Sequence, residues 1–132
     1  MAEQRKISFI GTPDTNPEVK PYWDACNEGR LVLRKCGGCG KVHYYPRGIC
    51  PFCFSTEGSW VDATGKGKIY SYSVMERANP PFTMAYVTLS EGVTMMTNIV
   101  ECDFSTVKIG QDVTVVFMDT DTGQKVPMFK PA

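Results

Sequence analysis

The sequence predicts a mainly β protein with one N-terminal helix, a small metal-stapled ribbon and a compact barrel. Three observations carry that expectation. Four of the six cysteines fall in two Cys-x-x-Cys pairs within "KCGGCGKVHYYPRGICPFC", residues 35–53. Five β-type apolar runs with short turn signals fill the chain after residue 66. Only one stretch, just before the cysteines, carries a helical pattern. The expected division is an N-terminal polar segment and helix at 1–29, a ribbon at 30–58 and a barrel at 59–132.

The helix is expected from about Pro17 or Pro21 to Glu28, in "NPEVKPYWDACNEG". Proline is tolerated in a first turn, and Gly29 can end the helix with a left-handed residue. Trp23 and Cys26, three apart, would share one face. Residues 1–16 are polar, carry Gly11 and Pro13, and suit a segment ordered only by a partner.

Cys36, Cys39, Cys50 and Cys53 form the pattern C-x2-C-x10-C-x2-C. Two residues between ligands let a tight turn aim both sulfurs at one point, with backbone N–H groups donating to the thiolates. Two facing turns give a tetrahedral four-sulfur site, the geometry of structural zinc. Gly40 suits a turn that needs positive φ, and Pro51 stiffens the second turn. "LVLRK" and "KVHYYP" read as short strands flanking the first turn. Iron could occupy the same thiolates and would make the chain an electron carrier. A closed four-thiolate shell leaves no open position, so the expected metal role is structural. Cys26 and Cys102 read as small buried hydrophobes. The only histidine, His43, lies inside the ribbon, which leaves either cysteine without an evident base.

After the ribbon come "GKIYSYSVME", "MAYVTLS", "VTMMTNIVE", "DVTVVFMD" and "KVPMFKP". Glu91-Gly92 reads as a two-residue hairpin; turns are also expected at Ile109–Gln111 and at Thr122-Gly123. Five strands of this length suit a closed barrel, for which an OB-fold leads and an SH3-like barrel is the alternative. In an OB-fold the "RANPPF" loop, Arg77 to Phe82, would border the ligand face.

Fourteen basic and fourteen acidic residues cancel, so no global field draws the chain onto nucleic acid or anionic lipid. Locally the ribbon is basic: Arg30, Arg34, Lys35, Lys41 and Arg47 occur between Gly29 and Cys53 without an acidic residue. Tyr70 and Tyr72 could share one strand face and stack bases, which keeps a nucleic-acid module as the alternative function. No apolar run at the N-terminus is long enough for a signal peptide or a membrane span, and a cytoplasmic address is expected.

Taken in order, "YWDACNEGRLVLRKC", "CGGCGKVHYYPRGICPFC", "GKGKIYSYSVMER", "TNIVECD" and "VKIGQDVTVVF" resemble the DUF35 family, from about Pro17 to Pro131. The resemblance implies a rubredoxin-like zinc ribbon fused to an OB-fold, with Cys36, Cys39, Cys50 and Cys53 as metal ligands. It further implies a non-catalytic accessory subunit of a thiolase-fold acyl-CoA enzyme, whether thiolase, aldolase or acyltransferase. Such a subunit would bridge subunits and shape the acyl-CoA site, while the partner supplies the catalytic residues; some relatives pair with a hydratase domain instead. The resemblance is compatible with the small subunit of a benzoylsuccinyl-CoA-type thiolase, and with other pairings. A CoA thioester would then lie at the interface, with Arg77, Phe82, Arg47 and Lys41 as candidate contacts. The second turn, "CPFCF", departs from the family in lacking the glycine often found after its last cysteine.

Overall fold

The computed structural model describes residues 17–132; the expectation for residues 1–16 lies outside them. Helix α1 spans Lys20–Asn27. A three-stranded antiparallel ribbon sheet follows, in the order β2-β1-β3, with β1 Val32–Cys36, β2 Val42–His43 and β3 Gly58–Asp62. The closed barrel then takes β4 Lys66–Met75, β5 Phe82–Leu89, β6 Thr94–Ile99, β7 Asp112–Met118 and β8 Val126–Pro131, in the order β4-β5-β6-β8-β7.

Pro21 sits in the first turn of α1, where no intrahelical donor is lost. Gly29 ends the helix at φ 77°, with Gly29 N–H donating to Cys26 O and Arg30 N–H to Ala25 O. The helix buries Tyr22, Ala25 and Cys26 completely enough that all three join the same core as the barrel residues Ile69, Val87, Ile99 and Phe129. Trp23 is only half-buried, so the inward face centres on Tyr22 rather than on the expected Trp23–Cys26 pair.

Hydrogen bonds on both sides fix α1 between the two β units. Tyr22 and Tyr44 share a hydroxyl contact of 2.9 Å, and Trp23 Nε1 donates to the Tyr45 hydroxyl at 2.9 Å. On the barrel side, buried Gln124 donates from Nε2 to Trp23 O at 3.0 Å, and Asn27 Oδ1 accepts from Lys125 N–H at 2.9 Å.

Along β5 and β6 the burial alternates strictly, with Thr83, Ala85, Val87 and Leu89 facing in and Met84 and Tyr86 facing out. Closure depends on a single parallel pair, Ile99 opposite Phe129, both fully buried, with Val100 N–H donating to Phe129 O. Gly67 lies where β4 crosses β5: a Cβ there would stand 2.7 Å from the Thr88 carbonyl oxygen.

All five expected barrel strands form, and three details differ. The strand Gly58–Asp62 pairs along β1 from Cys36↔Gly58 to Val32↔Asp62, so the ribbon sheet runs past residue 58. The hairpin between β5 and β6 is a three-residue loop, Ser90 to Gly92, closed by Leu89 N–H to Val93 O, with Gly92 at φ 95°. A bulge between Ile69 and Ser71 interrupts the alternation around Tyr70 and Tyr72, which are 68% and 40% exposed.

Two outcomes follow. Phe129→Ala should cost about 3–5 kcal/mol in urea unfolding, because it empties the core at the closing pair. Burial pushes the Tyr44 hydroxyl up to about 12 and raises Tyr22 well above its ordinary value, and burial also pushes the Cys26 thiol up to about 12. Each group is neutral in the fold but ionises near 9–10 in the unfolded chain, so stability should be intact below pH 9 and fall as pH rises from 9 to 12. Urea midpoints across that range check this, and Tyr44→Phe should flatten the decline.

Candidate metal centre

Two turns of like construction bring the four cysteines together. In the first, Cys36 N–H donates to Lys41 O and Gly40 N–H to Cys36 O; in the second, Cys50 N–H donates to Ser55 O and Phe54 N–H to Cys50 O. Each is the same tight loop, offset by fourteen residues, and each needs a left-handed residue directly after its last cysteine. Gly40 fills that place at φ 74° in the first turn, and Phe54 fills it at φ 66° in the second. The missing glycine therefore changes the residue and leaves the turn intact, at a cost of roughly 1–2 kcal/mol for a side chain in this region.

The sulfurs of Cys36, Cys39, Cys50 and Cys53 all lie within 4.8 Å of one another. Cys36 and Cys53 Sγ are 3.4 Å apart, and Cys39 and Cys50 Sγ are 3.8 Å apart. A tetrahedral ion with bonds near 2.3 Å requires edges of about 3.8 Å, so the cluster fits a four-sulfur site. Backbone amides supply the surrounding donors: Gly38 and Cys39 N–H point at Cys36 Sγ at 3.2 and 3.4 Å, and Phe52 N–H at Cys50 Sγ at 3.4 Å. The Cys39 and Gly38 amides hold the Cys36 thiol down at about 6. Cys53, although the Ser55 amide favours its thiolate, is pushed up to about 11 by the sulfurs crowding it. Four such groups cannot all ionise beside one another unless a cation sits among them.

His43 takes no part in this cluster. It is 5% exposed, and its Nε2 accepts the Arg47 N–H at 3.2 Å, which puts the proton on Nδ1. Burial and the charges of Arg34 and Arg47 lower its pKa, so it stays neutral. Cys26 is buried with its pKa raised by burial. Cys102 is half-buried rather than buried, and burial with the Asp103 charge raises it too.

The four candidate CoA contacts divide between two surfaces. Phe82 lines an apolar groove of about 460 Å³ with Tyr22, Trp23, Met84, Met96 and Met128. That groove runs between α1, β5, β6 and β8, and no periodicity in the sequence announces it. Arg47 lies on the ribbon, in a cleft of about 430 Å³ with His43 and Phe52, while Lys41 stands 5.0 Å above the Phe52 ring. Arg77 is exposed on the β4–β5 loop. No helix among the described residues is long and apolar enough to cross a membrane.

Comparison with known proteins bears on the whole arrangement. Residues 23–57 match the family model of the ChsH2 rubredoxin-like zinc ribbon domain, and residues 60–118 that of the ChsH2 C-terminal OB-fold domain. A probable enoyl-CoA hydratase alpha subunit from Thermomonospora curvata is 31% identical over 98% of this chain, which spans only 42% of that relative's length. A DUF35 domain-containing scaffold protein from Methanocaldococcus jannaschii is 38% identical over 66% of this chain and 67% of its own. Among solved structures, an Ltp2-ChsH2(DUF35) aldolase chain superposes with a TM-score of 0.79 at 30% identity, covering 88% of this chain and 95% of that one. A DUF35 protein of unknown function from Sulfolobus solfataricus shares the fold, with a TM-score of 0.68 at 15% identity over 89% and 87% of the two chains. Four clustered cysteines on a ribbon, an OB-fold behind them and relatives across that span make this chain a member of the DUF35 family.

Proposed function

We propose that this chain is a non-catalytic accessory subunit of an acyl-CoA enzyme complex, and that its catalytic partner has a thiolase fold. The observation that carries the reading is the superposition on the DUF35 chain of an aldolase, at 30% identity over nearly the whole of that chain. Relatives described as scaffold proteins and as an enoyl-CoA hydratase subunit point the same way. The chain's own chemistry agrees. Among the described residues, the histidine is neutral and hydrogen-bonded through the ring, and Cys26 and Cys102 both favour the thiol over the thiolate. No nucleophile, base and orienting group stand together among the described residues.

In this reading Cys36, Cys39, Cys50 and Cys53 hold one zinc ion, whose role is structural. When bound, the ion supplies the positive charge that lets four thiolates share one small volume. The chain divides into the N-terminal segment and helix, a zinc ribbon extended through β3, and the OB-fold. The ribbon and helix together present surfaces to the partner, and a CoA thioester bound at the interface would meet Lys41 and Arg47 or Arg77 and Phe82.

Two measurements test this. Affinity purification from the native source should bring down a chain that mass spectrometry identifies as a thiolase-fold enzyme, with acyl-CoA turnover in the complex and none by this chain alone. Turnover by the isolated chain, or the absence of any acyl-CoA enzyme in the complex, contradicts it. Cys36→Ser and Cys50→Ser should each reduce bound metal from one zinc per chain to near zero and abolish complex assembly. A red, iron-containing chain would point to electron transfer instead.

A further inference from the structure

The second cysteine turn is an exposed apolar tip. Ile49 is 55% exposed, Phe52 53% and Phe54 76%, and Tyr45 beside them is 40% exposed. At about 200 Å² per full aromatic side chain, the two phenylalanines alone leave on the order of 250 Å² in water. With Ile49 the patch reaches the roughly 300–600 Å² at which exposed apolar surface on a monomer is often functional.

The backbone gives a second, independent indication. Phe54 holds φ 66° at a place where the matching first turn uses glycine. Its side chain is three-quarters in solvent, so it repays that strain with almost no burial of its own. The cysteine turn itself demands this φ, so what calls for a reason is a phenylalanine in a place that glycine fills without strain. Its unburied ring points to a contact outside the chain.

Charge selects the kind of partner. Lys41 Nζ lies 5.0 Å over the Phe52 ring, and Arg47 shares one hollow with Tyr45, Ile49 and Phe54. Neither cation is ion-paired among the described residues. The one carboxylate near the hollow, Glu18, is engaged by the Gly48 N–H at 2.9 Å. The chain's own apolar groove beside α1 is lined without any carboxylate, so that groove on a second copy offers the cations nothing. An exposed apolar turn with a cationic rim that no carboxylate of the described residues pairs fits an apolar pocket ringed by acidic side chains.

We propose that Ile49, Phe52 and Phe54 insert into an apolar, carboxylate-rimmed pocket on the catalytic partner subunit, with Lys41 and Arg47 pairing to its rim. The proposal rests on the accessory-subunit reading. Its test uses the full chain and the large subunit purified from the native complex, with binding followed by surface plasmon resonance. Phe54→Gly should weaken binding about 30-fold, the loss typical of a buried aromatic anchor. Because glycine adopts this φ without strain, the same variant should keep its zinc and lose no thermal stability. Lys41→Glu with Arg47→Glu should slow association at least tenfold and reduce its dependence on salt.

Wild-type affinity in Phe54→Gly and Phe52→Ala overturns the docking surface while leaving the accessory role intact. A wild-type chain that binds no acyl-CoA enzyme subunit overturns both. If sedimentation shows a self-associated chain that Phe54→Gly dissolves, the occupant is a second copy and the proposal fails. It fails also if the double charge reversal weakens CoA binding and leaves assembly unchanged.

Discussion

Four sulfurs within a sphere a few ångströms across are the constraint on which the front half of this molecule depends. The ribbon sheet has only three short strands, one of them two residues long. It reaches the shared core through Val32 and Leu33, while the cysteine turns at its far end come together at the sulfur cluster. The amides around Cys36 and Cys50 are already aimed at sulfur, so the turns are shaped for thiolates before any ion is considered. What the turns cannot supply is positive charge, and a bound dication would supply it where four thiolates would otherwise repel.

Helix α1 transmits that rigidity to the barrel. Tyr22 and Trp23 reach Tyr44 and Tyr45 at the end of β2, while the Trp23 carbonyl and the Asn27 side chain receive donors from Gln124 and Lys125 at the start of β8. Polar groups make these contacts at the edge of a continuous apolar core, so their worth lies in fixing orientation as much as in stability. The consequence is a body in which the cysteine ribbon and the barrel are both held to the same helix. A scaffold subunit needs that property more than it needs a reactive group.

Much of this was legible in the residues. The cysteine spacing named a four-sulfur site, and the turn glycines at 92, 110 and 123 marked three barrel connections, each at positive φ. Gly29 stopped the helix where a left-handed residue was expected. The strand Gly58–Asp62 escaped because "GSWVD" has no alternation: its face is half-exposed, and its pairing partner lies some 26 residues earlier. The hairpin at Glu91-Gly92 gains one residue, Ser90, because its closing bond is set by Leu89 and Val93, beyond the dipeptide. The groove beside α1 assembles residues from four elements, and only tertiary packing brings them together. Phe54 carried the least signal of all. A phenylalanine after a cysteine reads as an ordinary residue until the repeated hydrogen-bond pattern puts it where glycine belongs.

The central claim, that these four thiolates enclose one structural zinc ion, is most directly tested by X-ray absorption spectroscopy on the purified chain. The account predicts a zinc edge with a single shell of four sulfur neighbours near 2.3 Å and no light-atom ligand. A shell containing nitrogen or oxygen would contradict it, as would an iron edge in place of zinc.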